Sequence, residues 1–171
     1  MSHTELFQDL PAHARLWIYS IDRSLDSKTE AMIDARLSKF MAGWQSHGRQ
    51  VTGRFAIVDH RFILIAAEIP EAEISGCGID ASVHALEDVG RQLGFNLLTG
   101  LDVLYRDQEG TIQSVPRAAF RKLVRSEQVT GETKVFDTSL VSLEQLRQGS
   151  FELPAHASWH GMVFRIPTTS T

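Results

Sequence analysis

Apolar positions along the first part of the chain alternate between two periods. Leu16-Trp-Ile-Tyr-Ser-Ile21 is dense in aromatic and β-branched residues and predicts a strand. From about Asp26 to His47, Ile33, Leu37, Phe40, Met41 and Trp44 recur at helical spacing and predict one helix with a single buried stripe. Ser24 or Asp26 is placed to cap its start and Gly48 to stop it. Residues 51–58 and 62–67 are strand-like runs about a turn at Asp59-His60-Arg61, which reads as a hairpin. Residues 81–93 return to helical spacing at Val83, Leu86, Val89 and Leu93, with Gly94 as the stop. Leu101-Asp-Val-Leu-Tyr-Arg106 follows as a strand, and a turn at 107–110 leads into a short extended 111–115.

This β-α-β-β-α-β order predicts an α+β protein with a ferredoxin-like sandwich over residues 1–110. Residues 111–171 then form a smaller α/β extension packed on it. Pro116 suits the first turn of a helix reaching about Ser126. Residues 133–137 predict a short strand, 140–148 a short helix stopped at Gly149, and 167–171 a small, polar, frayed end. Leu-Pro-Ala-His-Ala occurs at 10–14 and again at 153–157, but the flanking residues do not repeat, so no repeat architecture follows.

The composition narrows the function classes. The chain has 171 residues, 43% hydrophobic and 22% charged, which suits a domain of ordinary size with a real core. A net charge of −4 argues against a nucleic-acid binder working through a broad basic face. The single cysteine cannot close an internal disulfide. No apolar run approaches the ~20 residues that span a bilayer, and MSHTELFQDL lacks the basic start and apolar core of a secretory signal. The expected location is the cytoplasm.

In the expected topology, the third strand ends beside the start of strand one, the end of helix one and the start of strand two. That edge would gather Arg15, Trp17, Trp44, His47, Cys77 and Asp80 from four parts of the sequence into a pocket. Cys77 lies between Gly76 and Gly78, just ahead of a predicted helix start, where free N–H groups favour a thiolate. Glu68, Glu71, Glu73 and Asp80 oppose that charge, so activation would need His47 or Arg15. Asp80 is the expected N-cap, accepting from Ser82 or Val83. Cys77, Asp80 and His84 lack a strong metal-ligand spacing. No metal or cofactor is expected.

Gly48-Arg-Gln-Val-Thr-Gly53 begins like a phosphate loop, but Arg54-Phe55 stands where Lys and Ser/Thr are required. Arg117, Arg121 and Arg125, with Lys122, share one face of the predicted third helix. A solvated face is the usual meaning of such a stripe; an acidic partner or a phosphate is the other. Ser158-Trp159-His160 either docks the extension on the main domain or closes a pocket edge.

Arg15-Leu-Trp-Ile-Tyr19, Trp44 with His47-Gly48, Ser75-Gly-Cys-Gly-Ile-Asp80 with Ser82-Val83, and Ser158-Trp159-His160 give the chain a resemblance. It resembles, over nearly its whole length, a small family of uncharacterised bacterial proteins, mainly from the Bacteroidota, with a GC-x-ID-x-SV motif. Members are often labelled ABC transporter ATPases, yet this sequence has no phosphate loop and no acidic strand motif. The resemblance implies no activity. The leading expectation is a binding or interaction domain with its site at Arg15, Trp44, His47, Ser75, Gly76, Gly78, Asp80, Ser82 and Trp159. Its partner would be a protein or a small anionic ligand. The alternative is a cysteine-dependent enzyme with Cys77 as nucleophile and His47 as base. A third reading is a structural subunit, as in a homo-oligomer, whose loop only shapes an interface.

Overall fold

A computed structural model describes residues 2–168; of the expected frayed end at 167–171, residues 169–171 lie outside the described residues. Strand β1 (Arg15–Ser20) leads to α1 (Ser27–Gly43), where the Asp26 carboxylate accepts from the Thr29 N–H at 2.7 Å. The helix buries Ile33, Leu37 and Met41, as its spacing predicts. It ends at Gly43 rather than Gly48, because Trp44 turns extended (φ −71°, ψ 122°) and carries its indole into the core. The next residues form a small hairpin, β2 (Gln45–Ser46) and β3 (Arg49–Gln50). Its turn residues His47 and Gly48 both have positive φ, 50° and 74°, as a two-residue hairpin turn requires.

Strands β4 (Thr52–Val58) and β5 (Phe62–Glu68) form the expected hairpin, and β5 also pairs antiparallel with β1. Helix α2 (Gly76–Leu93) follows, closed by Gly94 in the left-handed conformation (φ 75°). Together these make a sheet of order β1-β5-β4 with two helices on one face.

The expected fourth strand, β6 (Asp102–Arg106), joins a second sheet instead. Its companions are β7 (Ile112–Pro116), β8 (Lys134–Phe136) and β9 (Glu152–Pro154), in the order β7-β6-β8-β9. The reason lies along the free edge of β1. Leu97 bridges Ile21 near one end of that edge, and Ser142 bridges Arg15 at the other. Asp22 holds Asn96 through backbone and side chain, and Arg23 donates to the carbonyls of Leu93 and Gly94. Gly100 (φ 78°) then lies between this stretch and the second sheet. The β6–β7 hairpin therefore straddles residue 110.

Three short helices complete the described chain: α3 (Arg117–Arg125), α4 (Leu143–Arg147) and α5 (Trp159–Val163). The result is four layers. Ile63, Ile65 and Ala67 of β5 face α1 and α2, while Phe62, Leu64 and Ala66 pack on Leu104, Ile112, Phe136, Leu143 and Leu146. Val103, Tyr105 and Val135 face the opposite way, onto Phe120 of α3 and Phe164 after α5. Among the described residues, no helix is long and apolar enough to cross a membrane.

Trp44 depends on Gly53. A Cβ at Gly53 would lie 2.7 Å from Met41 Sδ and 2.8 Å from Trp44 Cε3. Gly53→Ala is expected to overpack this contact and lower stability by about 1–3 kcal/mol, read as a lower urea midpoint with an unchanged slope.

Candidate functional site

The start of α2 is fastened from beneath. Ser75, not Asp80, is the N-cap: its Oγ accepts from the Gly78 N–H at 3.2 Å. Ser75 N–H donates to Ser46 Oγ at 2.9 Å, and the two hydroxyls lie 2.8 Å apart. Trp44 Nε1 donates to the Gly78 carbonyl at 2.9 Å in a buried setting. Gly78 meets this need for closeness, since a Cβ there would stand 3.1 Å from Ser46 Cβ and Oγ and from Ile74 Cγ2. Gly78 thus admits the β2 segment rather than a ligand. The helix begins one turn earlier than its apolar spacing predicts, because Gly76, Cys77 and Gly78 carry no stripe residue while Ser75 supplies the cap.

Of the expected pocket wall, Trp44 is only 2% exposed, packed between Trp17 and Phe40 at ring distances of 6.3 and 5.4 Å. Ser82 is buried and donates to the Ile79 carbonyl at 2.7 Å. Tyr19 lies beside it, and burial pushes its hydroxyl pKa up. These side chains form core and cap, not a cavity.

Gly76, Cys77, Asp80, His47 and Arg15 are exposed instead. The Gly76 and Cys77 N–H groups have no acceptor among the described residues. His47 makes no side-chain hydrogen bond there, so nothing joins its ring to the Cys77 thiol. Arg15 lies over Trp17 at 5.4 Å and lines a cleft of about 280 Å³ that runs to Ile74. Glu68, Glu71 and Glu73 line the same cleft, with His13 at 3.6 Å from Glu68. Trp159 does not join this edge. It packs in the third cluster, stacked on His160 at 3.7 Å with Arg117 at 5.9 Å, on the far face of the second sheet.

Two polar clusters lie elsewhere. Arg106 donates to Glu152 at 2.5 and 3.2 Å and to Asp59 at 3.0 Å, and His3 is 3.3 Å from Asp59. Hydrogen bonding to Glu152 raises the Arg106 pKa, so the charge is held firmly. The donor atoms of His3, Asp59 and Glu152 lie within 4.8 Å of one another, a metal-like grouping. Arg106 already bonds both carboxylates and offsets one of their two charges, and the cluster serves as a tie between the β4–β5 turn and β9. The second cluster is Ser158–His160, with Oγ to Nδ1 at 3.0 Å. Ser158 is the N-cap of α5, and His160 is buried beneath it.

Arg121 and Arg125, one turn apart on α3, line a cleft of about 1030 Å³ together with Arg165 from beyond α5. Arg165 has no neighbour in sequence that marks it, so the stripe on α3 was the only readable part of this feature.

Removing the Ser75 hydroxyl should cost about 1 kcal/mol of stability through loss of the cap, and Ser46→Ala should cost a similar amount by leaving the Ser75 N–H unmatched. Both are read by chemical denaturation. Burial lowers the His160 pKa from 6.5 to about 4. The unfolded chain therefore takes up a proton at His160 as pH falls through 6.5, while the folded chain does so only near 4. The stabilisation is complete above pH 6.5 and lost between 6.5 and 4, with a slope of up to about 1.4 kcal/mol per pH unit. Denaturation midpoints across this range should show the slope in the native protein and lose it in His160→Leu.

Comparison of the chain with protein-family models, with curated proteins and with solved structures gave no match.

Proposed function

We propose that the protein is a binding module whose partner docks on the edge where α2 begins. The carrying observation is that this edge is fastened from beneath by Ser46, Ser75 and Trp44, while Gly76, Cys77 and Asp80 above it stay in solvent. The His47–Gly48 turn stands next to it, since Ser46 is bonded to Ser75. A surface held in one conformation loses little entropy on binding. The first sheet with α1 and α2 serves as the frame, read as a ferredoxin-like half whose fourth strand is reduced to the bridge between Ile21 and Leu97.

The chemistry favours a protein segment over a free anion here. Two unmatched N–H groups suit a carbonyl of the partner, and Glu71, Glu73 and Asp80 suit a basic side chain beside it. The thiol-enzyme alternative has less support, because no hydrogen bond joins His47 to Cys77 among the described residues.

Two measurements test this. Iodoacetamide should modify Cys77 near neutral pH at the same rate in the native protein and in His47→Ala; a tenfold slower variant would favour the nucleophile reading. A lysine-containing pentapeptide should shift the amide signals of Gly76 and Cys77, and Glu73→Gln with Asp80→Asn should weaken the response. Unmoved signals in the native protein would sink the docking edge.

A further inference from the structure

The cleft of about 1030 Å³ beside α3 collects positive charge on a chain that is acidic as a whole. Arg121 and Arg125 sit one turn apart on α3, and Arg165 faces them from the segment after α5. Among the described residues, none of these three guanidiniums has a carboxylate within ion-pair distance, whereas Arg54, Arg91 and Arg106 each face one. Among the described residues, Glu127 is the only acidic one lining the cleft. Three neighbouring cations repel one another, and folding gains nothing from grouping them unless something anionic meets them.

The cleft is also built rather than incidental. The Phe164 ring lies 5.5 Å beneath the Arg121 guanidinium, which orients that side chain and leaves its N–H edge free. The opposite wall is stitched together through Gly131. Its carbonyl accepts from the His156 N–H at 3.0 Å and lies 2.9 Å from His156 Nδ1. A Cβ at Gly131 would come within 2.8 Å of the Pro167 carbonyl, so glycine lets the 130 turn and the C-terminal segment close on each other. The Thr130 hydroxyl and the half-exposed Val163 complete the lining, the one a polar partner and the other an apolar one.

We propose that this cleft, between α3 and the segment around Arg165, binds a phosphorylated small molecule carrying at least two negative charges. Guanidinium forks match phosphate oxygens two at a time, which a scattered lysine surface does not. A volume of about 1030 Å³ exceeds what a phosphate group needs and leaves room for an organic body against Val124 and Val163. The site is independent of the docking edge at α2, which lies on the other side of both sheets.

The test uses the full chain at ~50 mM salt, where charge interactions are little screened. Pyrophosphate, phenyl phosphate and inorganic phosphate are titrated against amide signals and heat of binding. Saturable binding is expected, centred on residues of α3, the 130 turn and the segment after α5, with phenyl phosphate tighter than inorganic phosphate. Arg121→Gln and Arg165→Gln should each weaken it about tenfold or more, as expected for loss of charge-assisted hydrogen bonds. Arg117→Gln, which removes the charge over Trp159, should leave it unchanged. These arginines are exposed, and unchanged amide spectra away from the cleft verify that the variants fold. No saturable response, or equal affinity in the Arg121→Gln/Arg165→Gln double variant, would overturn the proposal. Citrate binding as tightly as pyrophosphate would overturn its phosphate specificity. Cys77 alkylation and the pentapeptide response should be indifferent to the arginine variants, so failure here and failure of the docking edge are separable.

Discussion

Strand β5 carries six consecutive buried residues, Phe62 to Ala67, and its two faces point into different cores. Each large side chain of that run is worth about 1.5–3 kcal/mol when taken out of water, so neither face can be left to solvent. Helices α1 and α2 cover one face. The second sheet covers the other, with α4 supplying Leu143 and Leu146 to the same cluster. The second sheet then has an outer face of its own, which α3 and the Phe164 segment close. The four layers are thus a consequence of one strand that is apolar on both sides.

The arginines divide by what they meet. Arg23 and Arg147 donate to backbone carbonyls at helix and turn ends, Arg147 reaching Phe7 and Leu10 from α4. Arg61 donates to the Ile112 carbonyl and Ser114 Oγ, joining the β4–β5 turn to β7, and its burial lowers its pKa. Arg106 holds the same turn to β9 through Asp59 and Glu152. Arg61 and Arg106 span the seam between the two sheets, where fixed acceptors replace part of the lost hydration, while the Nε atoms of Arg61 and Arg147 are buried with no partner among the described residues. Arg121, Arg125 and Arg165, like Arg15, Arg49 and Arg117, make no side-chain hydrogen bond or ion pair among the described residues, and what sets the trio apart is that all three line one cleft. The same side chain that joins layers elsewhere faces open space there.

Much of the local structure was legible. Strand β1, the stripe of α1, the β4–β5 hairpin and the Gly94 stop of α2 all follow from spacing and cap chemistry. The start of α2 was misread because Asp80 is a good cap residue, and the apolar stripe begins after it. Ser75 prevailed because Ser46 is there to hold it, a contact across 29 positions. Trp44 was expected to wall a pocket, since an aromatic near a glycine-flanked thiol reads that way. Its burial depends on the missing side chain of Gly53, which no local pattern announces. The unbroken Phe-Ile-Leu-Ile-Ala-Ala run reads in the sequence only as one strand of a hairpin; the two layers that its lack of polar alternation calls for emerge with the tertiary structure.

The sequence by itself determined the longer strands and helices, the α+β class, the absence of an internal disulfide and the surface character of the α3 arginines. Those properties depend on nearest neighbours along the chain, on period and on composition. Only the tertiary structure decided that β6 leaves the first sheet, because the edge of β1 is taken by Leu97 and Ser142. It also decided that Ser46 meets Ser75, that Trp159 and Trp44 lie in separate cores, and that Arg165 joins Arg121 and Arg125. Each of these joins residues far apart in the chain, and their partners are selected by packing rather than by local preference.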